Sequence, residues 1–422
     1  MEINIAVESL KSIFEPELVS EITNYSVQKL KKGDIVTTEA EIVEAIPIIL
    51  KGKMEVSQLN VKNVNTHLYE INPVQSCIIS LISGQERRPS PAGSSILKES
   101  SIIFVPIAKT KEWFDKYNSW RHFILDLYDQ RLNELIRSKN LIQEQANNIE
   151  IQKKEITESI TYSKKIQTTL LQSEQQFTQN VPNSFVWNRP KDIVSGDFFW
   201  SKKYQNKVYF AVADCTGHGV PGAMISIVCY QTLDKVVSDF PNIKLGEILN
   251  KIHEKIQQLF DPSHTKVNDG MDISLCCYDK SLNRLSFSGA NNSIYRVIKS
   301  DYSGHFPEAE MQENGTKLIE YKADKQGIGG VGESNQFRTH EIECFKGDLF
   351  YLTSDGFQDQ FGGENNKKMM KKRMKKHFSN NIVCTLDESL NNLEIFFNEW
   401  KGKEEQTDDA LIIGFKPILT KD

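Results

Sequence analysis

Long apolar runs are missing from this sequence. No stretch approaches the roughly 20 apolar residues that a membrane-spanning helix needs, and the opening MEINIAVESL lacks the basic start and apolar core of a secretory signal. The expectation is a cytoplasmic chain with no membrane partner. A positive excess is missing too: 51 Lys and Arg stand against 56 Asp and Glu, a formal charge of −5, which speaks against a nucleic-acid partner. The seven cysteines, at 77, 215, 229, 276, 277, 344 and 384, have no zinc spacing, and several lie inside apolar patterns, as reduced thiols do. There is no GxxxxGK[ST] phosphate loop and no basic nucleotide cradle.

What is present begins with Val208–Ser226, VYFAVADCTGHGVPGAMIS. Apolar residues of strand length run to Asp214, and Gly217 and Gly219 flank His218 in a turn that calls for positive φ. Pro221 then suits the first turn of a helix. An Asp before glycines is ordinarily just a turn. Three further Asp residues, however, stand beside other strand patterns: Asp197 in VSGDFFW, Asp355 in DLFYLTSDGFQDQFGG and Asp409 in QTDDALIIGF. Four carboxylates at strand ends can meet at one rim of a sheet. They offer the oxygen ligands that hard divalent cations take, and paired cations activate water for in-line displacement.

SGDF, ADCTGHGVPGA, TSDG and TDDA, in this order and joined by DGMDISLC and FSGANNSIY, resemble the SpoIIE-like branch of the metal-dependent protein phosphatases (PPM family) over about residues 181–415. The resemblance implies a two-ion Mn or Mg centre and hydrolysis of phosphoserine or phosphothreonine on proteins. Carried over by position, Asp214 would bridge the two ions and the Cys215 carbonyl would bind one. Asp355 and Asp409 would complete the first ion's ligands, and Asp197 would serve the second. The partner implied is a phosphoprotein, of the kind represented by anti-sigma-factor antagonists. Asp408 reads as a neighbour supporting Asp409. Asp269 and Asp272 read as turn or capping residues near the site. His218 is either a proton donor to a leaving alkoxide or a turn residue. Arg189 lies in the region where relatives outside this branch place a phosphate-gripping Arg, a group that the branch generally lacks. CTGHG is not the Cys-x5-Arg pattern of thiolate chemistry.

The chain reads as three parts, 1–125, 126–180 and 181–422, enough length for two or three domains. In the first, short β runs with Gly and Pro punctuation predict a small antiparallel barrel, followed by a helix over Lys111–Leu135. KKGDIVTTEAEIVEAIPIILKGKMEV and the barrel-then-helix order resemble the cyclic-nucleotide-binding-like sensor of Crp/Fnr-type regulators, which implies a small-molecule or redox signal. The stretch matching the phosphate cassette, SCIISLISGQERRPSPAGSS, has Arg87 and Arg88 but no Gly-Glu start. No helix-turn-helix follows.

The part 126–180 lacks Pro and Gly and spaces Leu135, Ile142, Ile149 and Ile156 seven apart, an imperfect heptad that predicts a coiled-coil-like, homodimerising helix. The remainder predicts an amphipathic helix over Lys244–Phe260, a last helix over Leu386–Trp400 and a polar loop with an edge strand over Asp301–Lys325. It also predicts a basic helix in which Met370, Met374 and Phe378 face the core. The fold class expected is α+β: a C-terminal β-sandwich flanked by helices in PPM-type αββα order, an N-terminal small β-barrel with helices, and a helical coiled-coil-like connector. Two other readings stay open: a phosphoprotein-binding scaffold on the same fold, and a metal-dependent nucleotide cyclase or other phosphodiester enzyme.

Overall fold

In the computed structural model, which describes residues 8–59, 65–260, 269–299, 310–312, 314–330 and 335–419, the apolar strand Lys207–Cys215 is buried on both faces. That explains why it reads as a continuous apolar run. It sits inside an antiparallel sheet ordered His340–Glu343, Arg284–Ala290, Gly270–Asp279, Lys207–Cys215, Phe198–Tyr204, with Ile328–Gly329 added against Gly270–Asp279. A second antiparallel sheet runs Glu310–Met311, Lys317–Tyr321, Ile294–Ile298, Leu349–Thr353, Ala410–Phe415, Ser184–Arg189.

Side chains alternate across these strands and fill three layers. Phe210 and Val212 face Phe350, Leu352, Leu411 and Ile413 between the sheets. Ala211 and Ala213 face the helices Gly219–Asp239 and Leu245–Leu259. Trp187, Tyr351 and Ile412 face the helices Met370–Asn380 and Leu386–Lys401 on the other side. This is the αββα sandwich expected. Burying a large apolar side chain contributes about 1.5–3 kcal/mol, so the three clusters dominate the stability of this part.

The chain divides into two compact units, Met1–Ile151 and Gln152–Asp422. The first holds a five-stranded antiparallel sheet whose two long strands, Ala45–Leu59 and Gly93–Pro106, bend at successive register shifts. At the bend Gly52 has φ 102°, and a Cβ there would lie 2.5 Å from the Glu99 carbonyl. An apolar cluster of Ile49, Met54, Val56, Ile71, Cys77 and Ile96 packs on this sheet, and Leu10, Leu18, Trp113, Trp120 and Phe123 form another with Ile48 and Val105. Free thiols are distributed unevenly: Cys77 lies in the first unit, and Cys215, Cys229, Cys276, Cys277 and Cys344 are buried in the second, where Cys384 is partly exposed.

Two expectations are corrected, and part of a third lies outside the described residues. The helix predicted over Lys111–Leu135 is two helices, Ile107–Lys116 and Asn118–Leu170, broken where Tyr117 is extended. Glu15 caps the second one through its carboxylate and the Ser119 N–H, while its own N–H reaches the Ser119 hydroxyl. Phe114 is consequently exposed. Met370 has φ 66° and is exposed, and Met369 takes the buried place beside Met374 and Phe378. Of the polar loop expected from Asp301, residues 301–309 lie outside the described ones.

Leu135, Ile142, Ile149 and Ile156 are all more than 60 % exposed on the long helix. No helix among the described residues is long and apolar enough to cross a membrane.

Candidate active site

The site is built where strand ends from both sheets meet. Asp214 and Cys215 close the strand Lys207–Cys215, and antiparallel register sets Asp214 directly opposite Asp272. Like charges facing each other across a strand pair destabilise a sheet, so this pair is not explained by folding. From the second sheet, Leu349–Thr353 pairs with Ala410–Phe415, and Ser354 and Leu411 exchange hydrogen bonds of 2.9 Å. That pairing brings Asp355, which follows one strand, beside Asp408 and Asp409, which precede the other.

The turn after Cys215 is made by Gly217 at φ 84° and Gly219 at φ 66°, as its sequence demanded, and delivers the chain into the helix Gly219–Asp239. Asp214, Cys215, Gly217, His218, Asp272, Asp355 and Asp408 line a single cavity of about 370 Å³.

Asp197 and Asp409 sit behind this wall, each 3 % exposed. Asp409 accepts from the Lys191 N–H through Oδ1 and from the Gly196 N–H through Oδ2, both at 2.7 Å. Asp197 lines a smaller cavity of about 300 Å³, and its Oδ2 is buried without a hydrogen-bond partner. Gln167 on the long helix clamps the same loop, donating to the Ser195 carbonyl at 2.6 Å and accepting from the Ser195 N–H at 3.3 Å. A Cβ on Gly196 would lie 2.7 Å from the Gly217 carbonyl, 3.2 Å from the Cys215 carbonyl and 3.6 Å from Asp409 Oδ2. Only glycine lets these oxygens converge.

Burial raises the pKa of Asp197, Asp214, Asp272, Asp355 and Asp409. Asp214 is pushed up further by the charges of Asp197, Asp355 and Asp272 and by a hydrogen bond with Asp355. Asp197 is pushed up by Asp409, Asp355 and Asp408, against a hydrogen bond from Ser354. Burial raises Asp355, and its hydrogen bond with Asp214 opposes the shift. Asp272 is raised by burial, with Asn291 donating to it at 2.8 Å in opposition. For Asp409 burial outweighs the amides of Lys191 and Gly196. The Cys215 thiol is driven far up by burial, which removes it as a nucleophile and leaves its carbonyl as the useful group.

This donor set fits divalent cations. It consists of oxygen donors, one of them a buried carboxylate oxygen without a partner, around a cradle that a Cβ would fill. Among the described residues no three His, Cys, Asp or Glu side chains are close enough to cage one ion. The carboxylates ring the cavity singly and in pairs, which suits cations that keep most of their water.

The sequence reading and the structure differ at the TDDA motif. Asp408 presents itself to the cavity, whereas both oxygens of Asp409 are occupied by backbone amides. Asp272 lies on the cavity wall, not in a turn. Asp269 is not among the lining residues. His218 lines the cavity with Nδ1 3.0 Å from Asp192 Oδ2. Arg189 is engaged elsewhere, 2.7 Å from Glu394 and over the Trp187 ring.

Comparison with known proteins bears on the same part of the chain. The sequence pattern of the stage II sporulation protein E (SpoIIE) family matches residues 204–417. The chain is 21 % identical over 204 residues to the phosphoserine phosphatase RsbU of Bacillus subtilis (strain 168), covering 48 % of this chain and 54 % of that one. It thus spans about half the length of this curated relative. Among solved structures, the SiaA-PP2C domain of Pseudomonas aeruginosa matches with a TM-score of 0.55 and 25 % identity over 63 % of this chain and 98 % of that one. The Thermus thermophilus catabolite activator protein matches with a TM-score of 0.27 and 13 % identity over 40 % of this chain and 71 % of that one, a likeness that carries no argument.

Proposed function

The chain belongs to the stage II sporulation protein E family, and on that premise we propose that it is a phosphoprotein phosphatase acting on phosphoserine or phosphothreonine with two divalent cations, Mn or Mg. The observation that carries this reading is the ring of Asp214, Asp272, Asp355 and Asp408 around one cavity, with two of them paired across strands at a cost to the sheet.

Asp214, Asp355, Asp408 and the Cys215 carbonyl would hold the cations, with Asp272 alongside and Asp197 reaching one from behind, directly or through water. Bound there, the cations supply an activated water and neutralise charge on the phosphoryl group. The protein's own part is positioning. Asp409 fixes the loop of Gly196 through two amides. The Gly217–Gly219 turn aims the N-terminal end of the helix Gly219–Asp239 at the cavity, which favours an anionic group. His218, held by Asp192 at the cavity wall, would donate the proton that a leaving alkoxide needs.

The reading extends to control. Residues 1–125 would sense a small-molecule or redox signal, and 126–180 would pair two copies through Leu135, Ile142, Ile149 and Ile156, making the connector an element with two states. The substrate would be a phosphoprotein of the anti-sigma-factor-antagonist kind.

The test is phosphate release from a phosphoseryl protein with Mn or Mg and with chelator. Metal-dependent release supports the reading. Tight binding of the phosphoprotein without release at saturating metal would leave a scaffold instead.

A further inference from the structure

Between Lys367 and Lys376 the chain carries seven cations, Lys367, Lys368, Lys371, Lys372, Arg373, Lys375 and Lys376, and the nearest acids are Glu364 and Asp387. In a chain of charge −5 this is a concentrated positive block. Packing accounts for part of it. Lys375 lies within 3.0 Å of Glu310 and 2.9 Å of Glu320, Arg373 lies over Trp400, and Lys368 pairs with Asp359 at 2.9 Å. The remaining exposed cations include Lys367, Lys371 and Lys372, which have no ion-pair partner among the described residues. Lys371 and Lys375, and Lys372 and Lys376, stand four apart on one helix, a spacing at which like charges cost stability.

The block is fixed to the candidate site. Asp355 directly precedes the short helix Gly356–Asp359, and the hairpin Phe361–Gly362 with Lys367–Lys368 follows. Met369 N–H donates to the Gln360 carbonyl at 3.0 Å, and the basic helix Met370–Asn380 packs on Gly356–Asp359. Met374 and Phe378 are buried, which leaves Met370 as an exposed apolar side chain on the basic helix. That is too little apolar surface for a face that inserts into lipid.

We infer that this basic face is a docking surface for an acidic segment of the phosphoprotein substrate, next to its phosphorylated residue. The inference rests on the phosphatase reading above. Charge complementarity would speed encounter and select the partner, acting beyond the short helix that follows Asp355.

The experiment uses the full chain and the variant Lys367→Gln/Lys371→Gln/Lys372→Gln, with folding checked by circular dichroism. Two phosphoserine peptides, one flanked by Asp and Glu and one by Ser and Gln, are compared with p-nitrophenyl phosphate as a probe of the site alone. The wild type should favour the acidic peptide by about tenfold in kcat/KM, as expected for three exposed pairs of modest strength. The variant should lose that preference through KM, with hydrolysis of p-nitrophenyl phosphate unchanged. Added salt should erase the preference in the wild type. A variant that keeps the preference overturns the inference.

Fluorescence anisotropy with the labelled acidic peptide decides the matter even without turnover. Equal affinity for wild type and variant overturns docking, whereas a wild type that never hydrolyses p-nitrophenyl phosphate refutes the phosphatase reading by itself. If the variant loses binding to a DNA duplex or to phosphatidylserine vesicles while peptide affinity is unchanged, the face serves another polyanion and the inference falls.

Discussion

Replacing Asp214 by Asn should make the metal-free protein more stable and nearly inactive. Asp214 is mostly buried, and the charges of Asp197, Asp355 and Asp272 all oppose its ionisation. The folded chain therefore holds this proton more tightly than the unfolded chain, whose carboxyls titrate near ~4. Between that value and the raised folded one, each step up in pH costs stability, and above it the full penalty is present. Asn removes the charge and keeps the shape. Stabilising single changes typically contribute about 0.5–2 kcal/mol. For a unit of this size that means a Tm higher by about 2–4 °C per kcal/mol.

The assay is thermal unfolding of both proteins in chelator from pH 4 to pH 8. The advantage of Asp214→Asn should be absent near pH 4 and grow as the pH rises. Adding Mn should reverse the order, since a ligand at a hundred times its Kd adds about 2.7 kcal/mol to a protein that binds it, and the variant lacks a carboxylate proposed to hold the cations. Turnover should fall at least about a hundredfold, roughly 2.7 kcal/mol of transition-state stabilisation. A folded variant that melts below the wild type in chelator at pH 7, or that turns over near the wild-type rate, would refute the reasoning.

The adjacent acids Asp408 and Asp409 should behave differently. Asp408→Asn should weaken Mn binding in calorimetric titration with little loss of stability. Asp409→Asn should cost about 1.5–3 kcal/mol in urea unfolding, because two amides lose a charged acceptor; the opposite assignment of effects would return the ligand role to Asp409. Gly196→Ala forces a Cβ to 2.7 Å from the Gly217 carbonyl, and a shift of about 1 Å in the loop should lower kcat by about a hundredfold; unchanged kinetics in this variant would show that the loop does not set the site. Finally, Lys at both Ile142 and Ile149, each more than 60 % exposed, should give monomers by light scattering where the wild type gives dimers, and a monomeric wild type would end the pairing proposal.

The parts of the site that were readable were local ones. A carboxylate closing an apolar run, followed by glycines that the turn needs at positive φ, is a signal contained in ten residues, and Gly217 and Gly219 adopt that geometry. What could not be read depends on distant partners. Asp408 and Asp409 are neighbours in sequence, and only the amides of Lys191 and Gly196, more than two hundred residues away, decide which one is occupied. Asp272 lies in an ordinary-looking strand, and antiparallel register alone puts it against Asp214. The helix break at Tyr117 contains neither Pro nor Gly, and the spacing of Trp113, Tyr117 and Trp120 continues across it. At the break the Ser119 N–H donates to the Glu15 carboxylate, a partner more than a hundred residues away in sequence. Layer order was legible because strands buried on both faces differ from those at edges; the pairing order within each sheet had no comparable local mark.

The placement of the thiols gives the folded chain a set of internal clocks. A thiol reacts only as thiolate and only when reagent reaches it. Burial closes both routes at Cys215 and Cys276, and it pushes Cys277 and Cys344 up to about 12. Labelling of these groups in dilute urea therefore times the opening of the strands that bear them, since reaction waits on transient exposure. Cys77 alone reports on the first unit, so peptide mapping of labelled sulfurs would assign each opening rate to its own half of the chain, with no probe introduced. Cys384, already partly exposed, marks the zero of that clock.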